Sequence, residues 1–235
     1  MRATCRLAKE SVAMVEDKIK EGISTNTINT WVHDFLTKRG AIPATLNYNG
    51  FPKSTCTSIN DVVCHGIPDD RLLKEGDIIN VDVTCILDGY FGDTSKTFLI
   101  GNCSEEAKKI TAISQECLNR AIKTTTPYGH IGDIGAAITA YAKPLGCSVV
   151  EKFVGHGIGK KFHEEPQVPH FGVKGKGELI IPGMFFTIEP MINLGKKDVK
   201  ILDDGWTAVT IDGKLSAQFE HTVYISESGV EVLTA

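Results

Sequence analysis

A twelve-residue segment, GHGIGKKFHEEP at 155–166, concentrates side chains that bind metal ions or transfer protons. It contains two histidines, His156 and His163, with two adjacent glutamates and three glycines. Imidazole is a common metal ligand and the side chain that titrates nearest neutral pH, and we expect the glycines to leave space for a metal ion and a peptide to approach. A polar surface loop has a similar composition, so the acidic residues elsewhere in the chain decide between the two interpretations.

Two aspartates lie on strands that the dipeptide Asp88-Gly89 is predicted to join. The segment GDIINVDVTCILDGYFGDTSKTFLIG has β-rich runs on both sides of this dipeptide, a pattern typical of a two-residue hairpin loop. Such a loop places Thr84 opposite Asp93 and makes Asp82 and Asp93 diagonal neighbours on one face, ~7–8 Å apart. Adjacent carboxylates repel, and one takes a raised pKa unless a cation lies between them. Two scattered acids at a solvent-facing strand edge remain the alternative.

Two glutamates lie within apolar, strand-like runs, Glu189 in MFFTIEPMI and Glu220 in AQFEHTVYI. A glutamate in such surroundings is rarely buried without a partner or a metal ion. Together with Asp82, Asp93 and His156, they form a set of four carboxylates and one imidazole. This set suits two divalent first-row ions such as Mn, Fe, Co or Zn, whereas a structural zinc site prefers thiolates and imidazoles.

The elements that position these residues follow from apolar periodicity and capping signals. Helices are predicted over about 2–20, from a Ser24 or Thr25 cap to before Gly40, over about 104–123 and over about 131–142. A hairpin is predicted at Asn49-Gly50, and strands in CSVV, MFFTIEPMI, WTAVTID and AQFEHTVYI. The order indicates an α+β fold of two similar halves, with helices covering one face of a curved antiparallel sheet. No linker separates the halves, so 1–235 is interpreted as a single domain.

Composition excludes several classes of protein. The 235 residues are 42% hydrophobic, and a net charge of -4 gives no general reason to expect nucleic-acid binding. No run reaches the ~18 to 20 apolar residues of a membrane span, and the N-terminus lacks the apolar core of a signal peptide. Seven cysteines without a CxxC pair argue against a disulfide framework and favour a reducing, cytoplasmic location.

Several motifs resemble the methionine aminopeptidase family, and they occur in the family's order from about Met1 to the C-terminus. They are VDVT around Asp82, GDTSKTF around Asp93, GHGIG around His156, FHEEP around His163, TIEPM around Glu189, QFEHT around Glu220 and KSTCTSINDVVCHGIPDD around His65. The compact form, without a cysteine-rich extension or a long insert, resembles the bacterial type I enzymes. One departure is that family members usually carry a further segment before the position where this chain starts.

The resemblance implies the pita-bread fold with pseudo-two-fold symmetry and a catalytic peptidase domain. It also implies that two divalent metal ions bind per chain. Asp93 and Glu220 would bridge both ions, Asp82 would complete one site, and His156 with Glu189 would complete the other. A monovalent cation is a candidate third ion, because Asn60 and Ser216 match positions near such a site in relatives.

The substrate contacts are implied in the same way. Glu189 would take the proton from the attacking water, His163 would hydrogen-bond the carbonyl oxygen, and His65 would steady the scissile amide. The apolar pocket for the methionine side chain would use Tyr48, Phe51, Cys56, Phe162 and Trp206. Ordinary core packing is the alternative for these aromatic residues.

The implied function is metal-dependent removal of the N-terminal methionine from nascent proteins when the second residue is small and uncharged. The ribosome is a candidate partner, because the eight lysines between Lys152 and Lys200 could form a local basic face. Ordinary solvated lysines are the favoured alternative, and a monomer is expected. The nearest enzymatic alternative is a proline-specific aminopeptidase of the same fold, against which the compact length and the CHGIP motif argue. A metal-free peptide-binding protein of this fold is the other alternative, but all five ligand residues are present.

Overall fold

A computed structural model describes the whole chain, residues 1–235. The helices are α1 (Arg2–Glu16), α2 (Thr25–Thr37), α3 (Glu105–Thr124) and α4 (Ile131–Ala142), with 3-10 turns at Tyr48–Gly50 and Lys143–Leu145. The strands are β1 (Ile42–Pro43), β2 (Cys56–Ile59), β3 (Val62–Cys64), β4 (Ile78–Leu87), β5 (Tyr90–Leu99), β6 (Ser148–Val149), β7 (Gly155–Gly157), β8 (Glu164–Val168), β9 (Phe185–Ile188), β10 (Met191–Asn193), β11 (Val199–Ile201), β12 (Ala208–Thr210), β13 (Ser216–Gln218), β14 (Glu220–Ser226) and β15 (Gly229–Val232). None of the helices has the length and apolar character needed to cross a membrane.

Nine strands form one sheet, in which the strand order is β1-β4-β5-β14-β9-β7-β8, with β2 paired to β4 and β15 paired to β14. All of these pairings are antiparallel. Two three-stranded sheets, β13-β10-β6 and β11-β12-β3, accompany it. The predicted α+β class with helices against a curved antiparallel sheet is therefore confirmed.

The hydrophobic core is divided between two halves of the chain. In the first half, α1 and α2 pack apolar residues such as Val12 and Ile28 against Val81 of β4. In the second half, α3 and α4 pack against β9 and β14, with Ile110 and Phe186 in the cluster. Each half thus buries its own helix pair on the sheet, as the predicted repetition of helices and strands requires.

Helix boundaries follow local capping chemistry. The Ser24 hydroxyl accepts a hydrogen bond from the Thr27 amide at 3.1 Å, and Ser104 caps α3 in the same way. The predicted spans of α2, α3 and α4 hold to within two or three residues. The first helix ends at Glu16, earlier than predicted, because the Lys18 amide bonds back to Val15 and tightens the last turn.

The Asp88-Gly89 hairpin has the predicted register, with Thr84 opposite Asp93 and Asp82 opposite Ser95. Asp88 and Gly89 both have positive φ, 52° and 78°, as a two-residue loop of this type requires. On the other face of β4 the apolar residues, Val81, Val83 and Cys85, are fully buried against the helices. The hairpin therefore directs its carboxylates away from the helix layer.

The Asn49-Gly50 hairpin prediction is wrong. Asn49-Gly50 lies in a 3-10 turn, and Asn47 and Asn49 take left-handed φ angles of 65° and 47°. The turn is closed by its own backbone, with the Asn47 amide donating to Phe51 at 2.8 Å and the Phe51 amide donating to Tyr48 at 2.9 Å. Since β1 has only two residues, no strand pair flanks the dipeptide.

The strand predictions in MFFTIEPMI and AQFEHTVYI need a second correction, since each run divides between two sheets. The first divides after β9 at Glu189-Pro190, where proline cannot donate a ladder hydrogen bond. The second divides at Phe219, between β13 and β14. Both breaks lie beside predicted ligands. Glu189 and Glu220 are therefore each located where the chain passes from one sheet to another.

The glycines of β7 serve strand packing, which corrects the expectation that they leave space for a ligand. A Cβ at Gly157 would overlap the Glu165 carbonyl oxygen, and a Cβ at Gly155 would overlap the Thr187 carbonyl oxygen. The flanking strands β8 and β9 therefore approach β7 too closely for any side chain at these two positions.

We predict that Gly157→Ala destabilises the protein by about 1 to 3 kcal/mol, because the new methyl group must displace the β8 backbone. Urea unfolding of the metal-free protein measures the change. Gly89→Asn is the matched control: it lies in open space at φ 78°, a conformation that asparagine tolerates. Equal losses in the two variants would contradict the packing explanation.

Candidate metal centre and adjoining cavity

The five predicted ligands come from neighbouring elements of the nine-stranded sheet. Asp82 lies on β4, Asp93 on β5, Glu220 at the start of β14, and His156 on β7, while Glu189 directly follows β9. Glu220 is paired with Ser95, so it shares the sheet face of Asp82 and Asp93. The sheet order thus brings together side chains that are far apart in the chain.

The side chains form one compact cluster. Carboxylate oxygens of Asp82, Asp93 and Glu220 lie within 4.8 Å of one another. The His156 Nε2 atom is 3.8 Å from Asp93 Oδ2 and 3.6 Å from Glu189 Oε1. Asp93, His156 and Glu220 are exposed by only 4%, 8% and 2%, so water does little to screen the charges.

Burial raises the pKa of every carboxyl in the cluster. It raises that of Asp82 to about 7 and that of Glu189 to about 8. For Asp93 and Glu220, burial and then the neighbouring carboxylates hold the pKa well above its usual range. A cation between the carboxylates reverses this effect, because it favours their ionised forms.

A second layer of hydrogen bonds orients the cluster. The Thr84 hydroxyl donates to Asp93 at 2.7 Å, and the Thr187 hydroxyl donates to Glu189 at 2.8 Å. His156 donates from Nδ1 to the Gly157 carbonyl oxygen at 3.0 Å, since a carbonyl can only accept. The Nε2 lone pair therefore faces the carboxylates, which is the arrangement of a metal-binding histidine.

The donor set fits divalent metal ions. Asp82 Oδ1 and Glu220 Oε1 are buried atoms without a hydrogen-bond partner, and a buried anionic oxygen left without a partner is costly. Four carboxylates and an unprotonated imidazole nitrogen supply hard oxygen and nitrogen ligands, which suit first-row divalent ions. Burial lowers the pKa of His156 to about 3, so its ligand nitrogen is free at neutral pH.

A cavity of about 300 Å³ opens onto this cluster. Every predicted substrate-binding residue lines it: Tyr48, Phe51, Cys56, His65, Phe162, His163 and Trp206. Thr45, Lys152, Phe153, Val154 and Met191 line it as well and were not predicted. Lys152, Phe153 and Val154 directly precede GHGIG, so proximity in sequence to His156 was the available signal.

The two predicted substrate-contacting histidines lie on the cavity wall. His65 has a φ of 56° and packs edge-on against Phe153 and Trp206, with ring centroids 5.3 and 6.2 Å apart. Burial lowers the pKa of His65 to about 4 and also lowers the pKa of His163. Both rings are therefore largely neutral at pH 7.

His163 lies between aromatic neighbours. Its ring stacks on Phe162 at 4.3 Å and lies 4.1 Å from the ring of His156. Its Nδ1 atom is 2.8 Å from the Tyr48 hydroxyl. The two histidines of the opening segment thus take different positions, one inside the carboxylate cluster and one on the cavity wall beside it.

Two residues that support the site were not predicted from the sequence. His170 is completely buried, and its Nε2 accepts a hydrogen bond from the Glu189 amide at 3.0 Å. Asp204 accepts from the amides of Trp206 and Thr207, both at 2.8 Å, and so shapes the loop that carries the cavity tryptophan. Both act through the backbone of another residue, which residue type and spacing do not reveal.

The two residues predicted near a monovalent cation are neighbours. The Ser216 amide donates to the Asn60 carbonyl oxygen at 2.9 Å, and Asn60 has a φ of 57°. The Ser216 hydroxyl is buried without a hydrogen-bond partner. The Asn60 side chain is already engaged by Asp77 and the Ile78 amide.

A curved antiparallel sheet with an acid–imidazole cluster that fits divalent metal ions, beside an aromatic cavity, is the arrangement expected of a metal-dependent hydrolase. Residues 1–227 match the model of metallopeptidase family M24. Methionine aminopeptidase A of Synechocystis sp. is 54% identical over the whole chain and 93% of its own length. Methionine aminopeptidase of Escherichia coli K12 is 48% identical over the whole chain and 89% of its own length.

Solved structures agree. The crystal structure of methionine aminopeptidase from Rickettsia prowazekii superposes with a TM-score of 0.98 at 47% identity, over 100% of this chain and 95% of that one. The chain therefore belongs to metallopeptidase family M24, in its group of bacterial, type I methionine aminopeptidases. It is a hydrolase of a family that uses divalent metal.

A more distant structure bears on the fold alone. Prolidase from Pyrococcus furiosus has a TM-score of 0.77 at 21% identity, covering all of this chain and 62% of that one. The predicted pita-bread fold is confirmed by this likeness and by the closer structures.

The raised carboxyl pKa values predict how pH affects the metal-free protein. A carboxyl whose pKa is higher in the folded state binds more protons when folded, so its contribution to stability is lost as pH rises. The histidines with lowered pKa values have the opposite effect, but only below their unfolded pKa of about 6.5. Between pH values of about 6.5 and the Glu189 pKa of about 8, the metal-free protein is therefore expected to lose stability as the pH increases.

Urea unfolding of chelator-treated protein across this window, with and without Mn²⁺, measures the effect. Bound Mn²⁺ is expected to abolish the decline, because metal binding requires the ionised carboxylates. A metal-free protein that gains stability across the window would show that the cluster is not the dominant titrating site.

Proposed function

We propose that this protein removes the N-terminal methionine from nascent proteins whose second residue is small and uncharged, using two divalent metal ions. The observation that carries the proposal is the continuity of the aromatic cavity with the buried carboxylate–imidazole cluster. An apolar side chain fits the aromatic end, and the adjoining peptide bond then meets the cluster. Relatives at 54% and 48% identity bear the name methionine aminopeptidase.

Five residues hold the metal ions. Asp93 and Glu220 would contribute to both ions, Asp82 would complete one site, and His156 with Glu189 would complete the other. Support comes from the unpartnered oxygens of Asp82 and Glu220 and from the lone pair that His156 directs at the carboxylates. When bound, a pair of divalent ions would lower the pKa of a water molecule and make it a nucleophile near neutral pH.

Three side chains of this chain carry out the remaining steps. Glu189 accepts a proton from the attacking water and returns it to the leaving amine, a role supported by its position in the cluster and on the cavity wall. His163 donates a hydrogen bond to the substrate carbonyl oxygen as negative charge develops on it. His65, on the cavity wall, contacts the scissile amide and holds the peptide in place.

The methionine side chain binds against Tyr48, Phe51, Cys56, Phe162 and Trp206. Phe51 and Trp206 meet edge-to-face with centroids 5.2 Å apart, and Tyr48 packs on Phe162 at 4.7 Å. These contacts form a wall of aromatic surface suited to an unbranched, apolar side chain.

The second residue of the substrate is restricted in size. Beyond the scissile bond the substrate peptide passes His65, whose ring packs edge-on against Phe153 and Trp206. A glycine, alanine or serine fits in this space, whereas a long or aromatic side chain meets the imidazole and the carboxylate cluster.

The cellular setting completes the proposal. Residues 1–235 act as one catalytic domain and as a monomer in the cytoplasm, on nascent polypeptide N-termini. The free state of all seven cysteines suits a reducing compartment. The ribosome is a partner through the lysines between Lys152 and Lys200, and a monovalent cation binds beside Asn60 and Ser216.

We expect cleavage of Met-Ala-Ser and Met-Gly-Ser peptides and not of Met-Lys-Ser or Met-Phe-Ser, because of the crowding around His65. Release of free methionine, measured with each of Mn²⁺, Co²⁺, Fe²⁺ and Zn²⁺, tests the substrate range. Acetylated Met-Ala-Ser is the control for a free amino group. Efficient cleavage of Met-Lys-Ser would rule out the size restriction.

Alanine variants of the two histidines in GHGIGKKFHEEP are expected to differ in the number of metal ions that they bind. His156→Ala removes a ligand, so at least one ion and nearly all activity are lost. His163→Ala retains both ions and lowers kcat by about 10² to 10³, the usual cost of one oxyanion donor. His33→Gln, at a histidine bonded to Ser54 outside the cavity, is the matched control and leaves both quantities unchanged.

Metal content by elemental analysis and kcat are measured for the three variants at one metal concentration. If His163→Ala emptied a metal site while His156→Ala kept both ions, the two roles would be reversed. Full activity in both alanine variants would exclude a catalytic role for the segment.

A further inference from the structure

Tyr48 makes a contact that a wall of the methionine pocket does not require. Its hydroxyl lies 2.8 Å from His163 Nδ1, and this is the hydrogen bond by which the structure holds the His163 ring. Its aromatic neighbours are Phe162, stacked at an interplanar angle of 15°, and His156, tilted by 57°. Neither of these rings forms a hydrogen bond with a His163 nitrogen, so the Tyr48 hydroxyl is the group placed to set the position of the imidazole proton.

Tyr48 lies in a closed turn. It stands between Asn47 and Asn49, which have left-handed φ angles of 65° and 47°, a conformation that asparagine tolerates. The Tyr48 amide donates to the Thr45 carbonyl oxygen at 3.0 Å, and the Tyr48 ring packs on Phe162 with centroids 4.7 Å apart. Turn closure and ring packing together place the phenol beside His163.

The direction of the hydrogen bond decides what His163 offers to a substrate. A neutral imidazole has one N–H donor and one acceptor nitrogen. If Nδ1 donates to the Tyr48 oxygen, Nε2 carries a lone pair and repels a carbonyl oxygen that gains negative charge. If the Tyr48 hydroxyl donates to Nδ1, the proton resides on Nε2 and can be donated to that oxygen.

We propose that Tyr48 is a positioning residue whose hydroxyl donates to His163 Nδ1 and thereby keeps the imidazole proton on Nε2. The inference rests on the proposed function, in which His163 donates to the substrate carbonyl oxygen. It assigns the tyrosine two separable tasks. The ring contributes to the methionine pocket through Phe162, and the hydroxyl sets the tautomer of the catalytic histidine.

Tyr48→Phe separates the two tasks, because it keeps the ring and removes the hydroxyl. We expect kcat for Met-Ala-Ser to fall about tenfold, the lower end of the effect of partners that orient a functional histidine, with KM unchanged. Phe51→Leu, which alters the pocket without touching His163, is expected to raise KM. Tyr128→Phe removes a phenol hydroxyl bonded to Glu227 at the surface and is the matched control, with no effect on either constant.

A double-mutant cycle tests whether the hydroxyl acts through His163. In a His163→Ala background, Tyr48→Phe is expected to change kcat no further, because the group that it positions is absent. Equal effects of Tyr48→Phe with and without His163 would overturn the proposal. A raised KM with unchanged kcat would also overturn it, since the hydroxyl would then serve the pocket alone.

The proton position is measured directly by long-range ¹H–¹⁵N spectra of the metal-free protein labelled at histidine, with His163 assigned from the His163→Ala spectrum. The expected result is protonation at Nε2 in the wild type and a mixture of tautomers in Tyr48→Phe. Protonation at Nδ1 in the wild type would refute the proposal even if the variant failed to fold. Wild-type protein that does not cleave Met-Ala-Ser with any metal would instead refute the proposed function, and the spectra would still decide the direction of the hydrogen bond.

Discussion

Repulsion among four clustered carboxylates is the constraint on which the rest of the structure depends. Asp82, Asp93, Glu189 and Glu220 lie in one cluster where burial raises the pKa of each. Two of the oxygens, on Asp82 and Glu220, have no hydrogen-bond partner within the protein, and a buried anionic oxygen without a partner is costly. The fold must supply enough stability elsewhere to hold the cluster together and must leave it open to cations.

The two faces of the sheet differ in character: one packs apolar residues against helices, and the other carries the carboxylates. On the face toward α1 and α2, Val81, Val83 and Cys85 are fully buried in an apolar cluster, and the alternate residues of the same strand carry the polar site. Burial of those apolar side chains stabilises the strands without using any group of the carboxylate–imidazole cluster. Hydroxyl groups of Thr84 and Thr187 then orient the carboxylates. Ligand geometry is thus determined by strand pairing and by a second layer of hydrogen bonds.

The sequence predicts what depends on local chemistry and pattern, and it fails where distant contacts decide. The Asp88-Gly89 turn determines its own register, so the shared face of Asp82 and Asp93 could be inferred from a few residues. Asn49-Gly50 carries the same local signal but forms a 3-10 turn, because the strands that a hairpin needs are absent there. The support of Glu189 by His170 and the bond from Tyr48 to His163 join residues 19 and 115 positions apart. Such pairings are invisible to periodicity, and composition gives no signal for them.

The position of β14 has a consequence for the order in which this protein assembles. β14 follows every other strand of the nine-stranded sheet except β15 in the chain, yet it occupies the middle of that sheet, between β5 and β9. During synthesis the edges of β5 and β9 therefore stay unpaired until residues 220–226 have been made. Non-local pairing of this kind is slow and leaves strand edges open to aggregation in the meantime. Glu220 lies on that strand, so the carboxylate cluster is completed by the same event that closes the sheet.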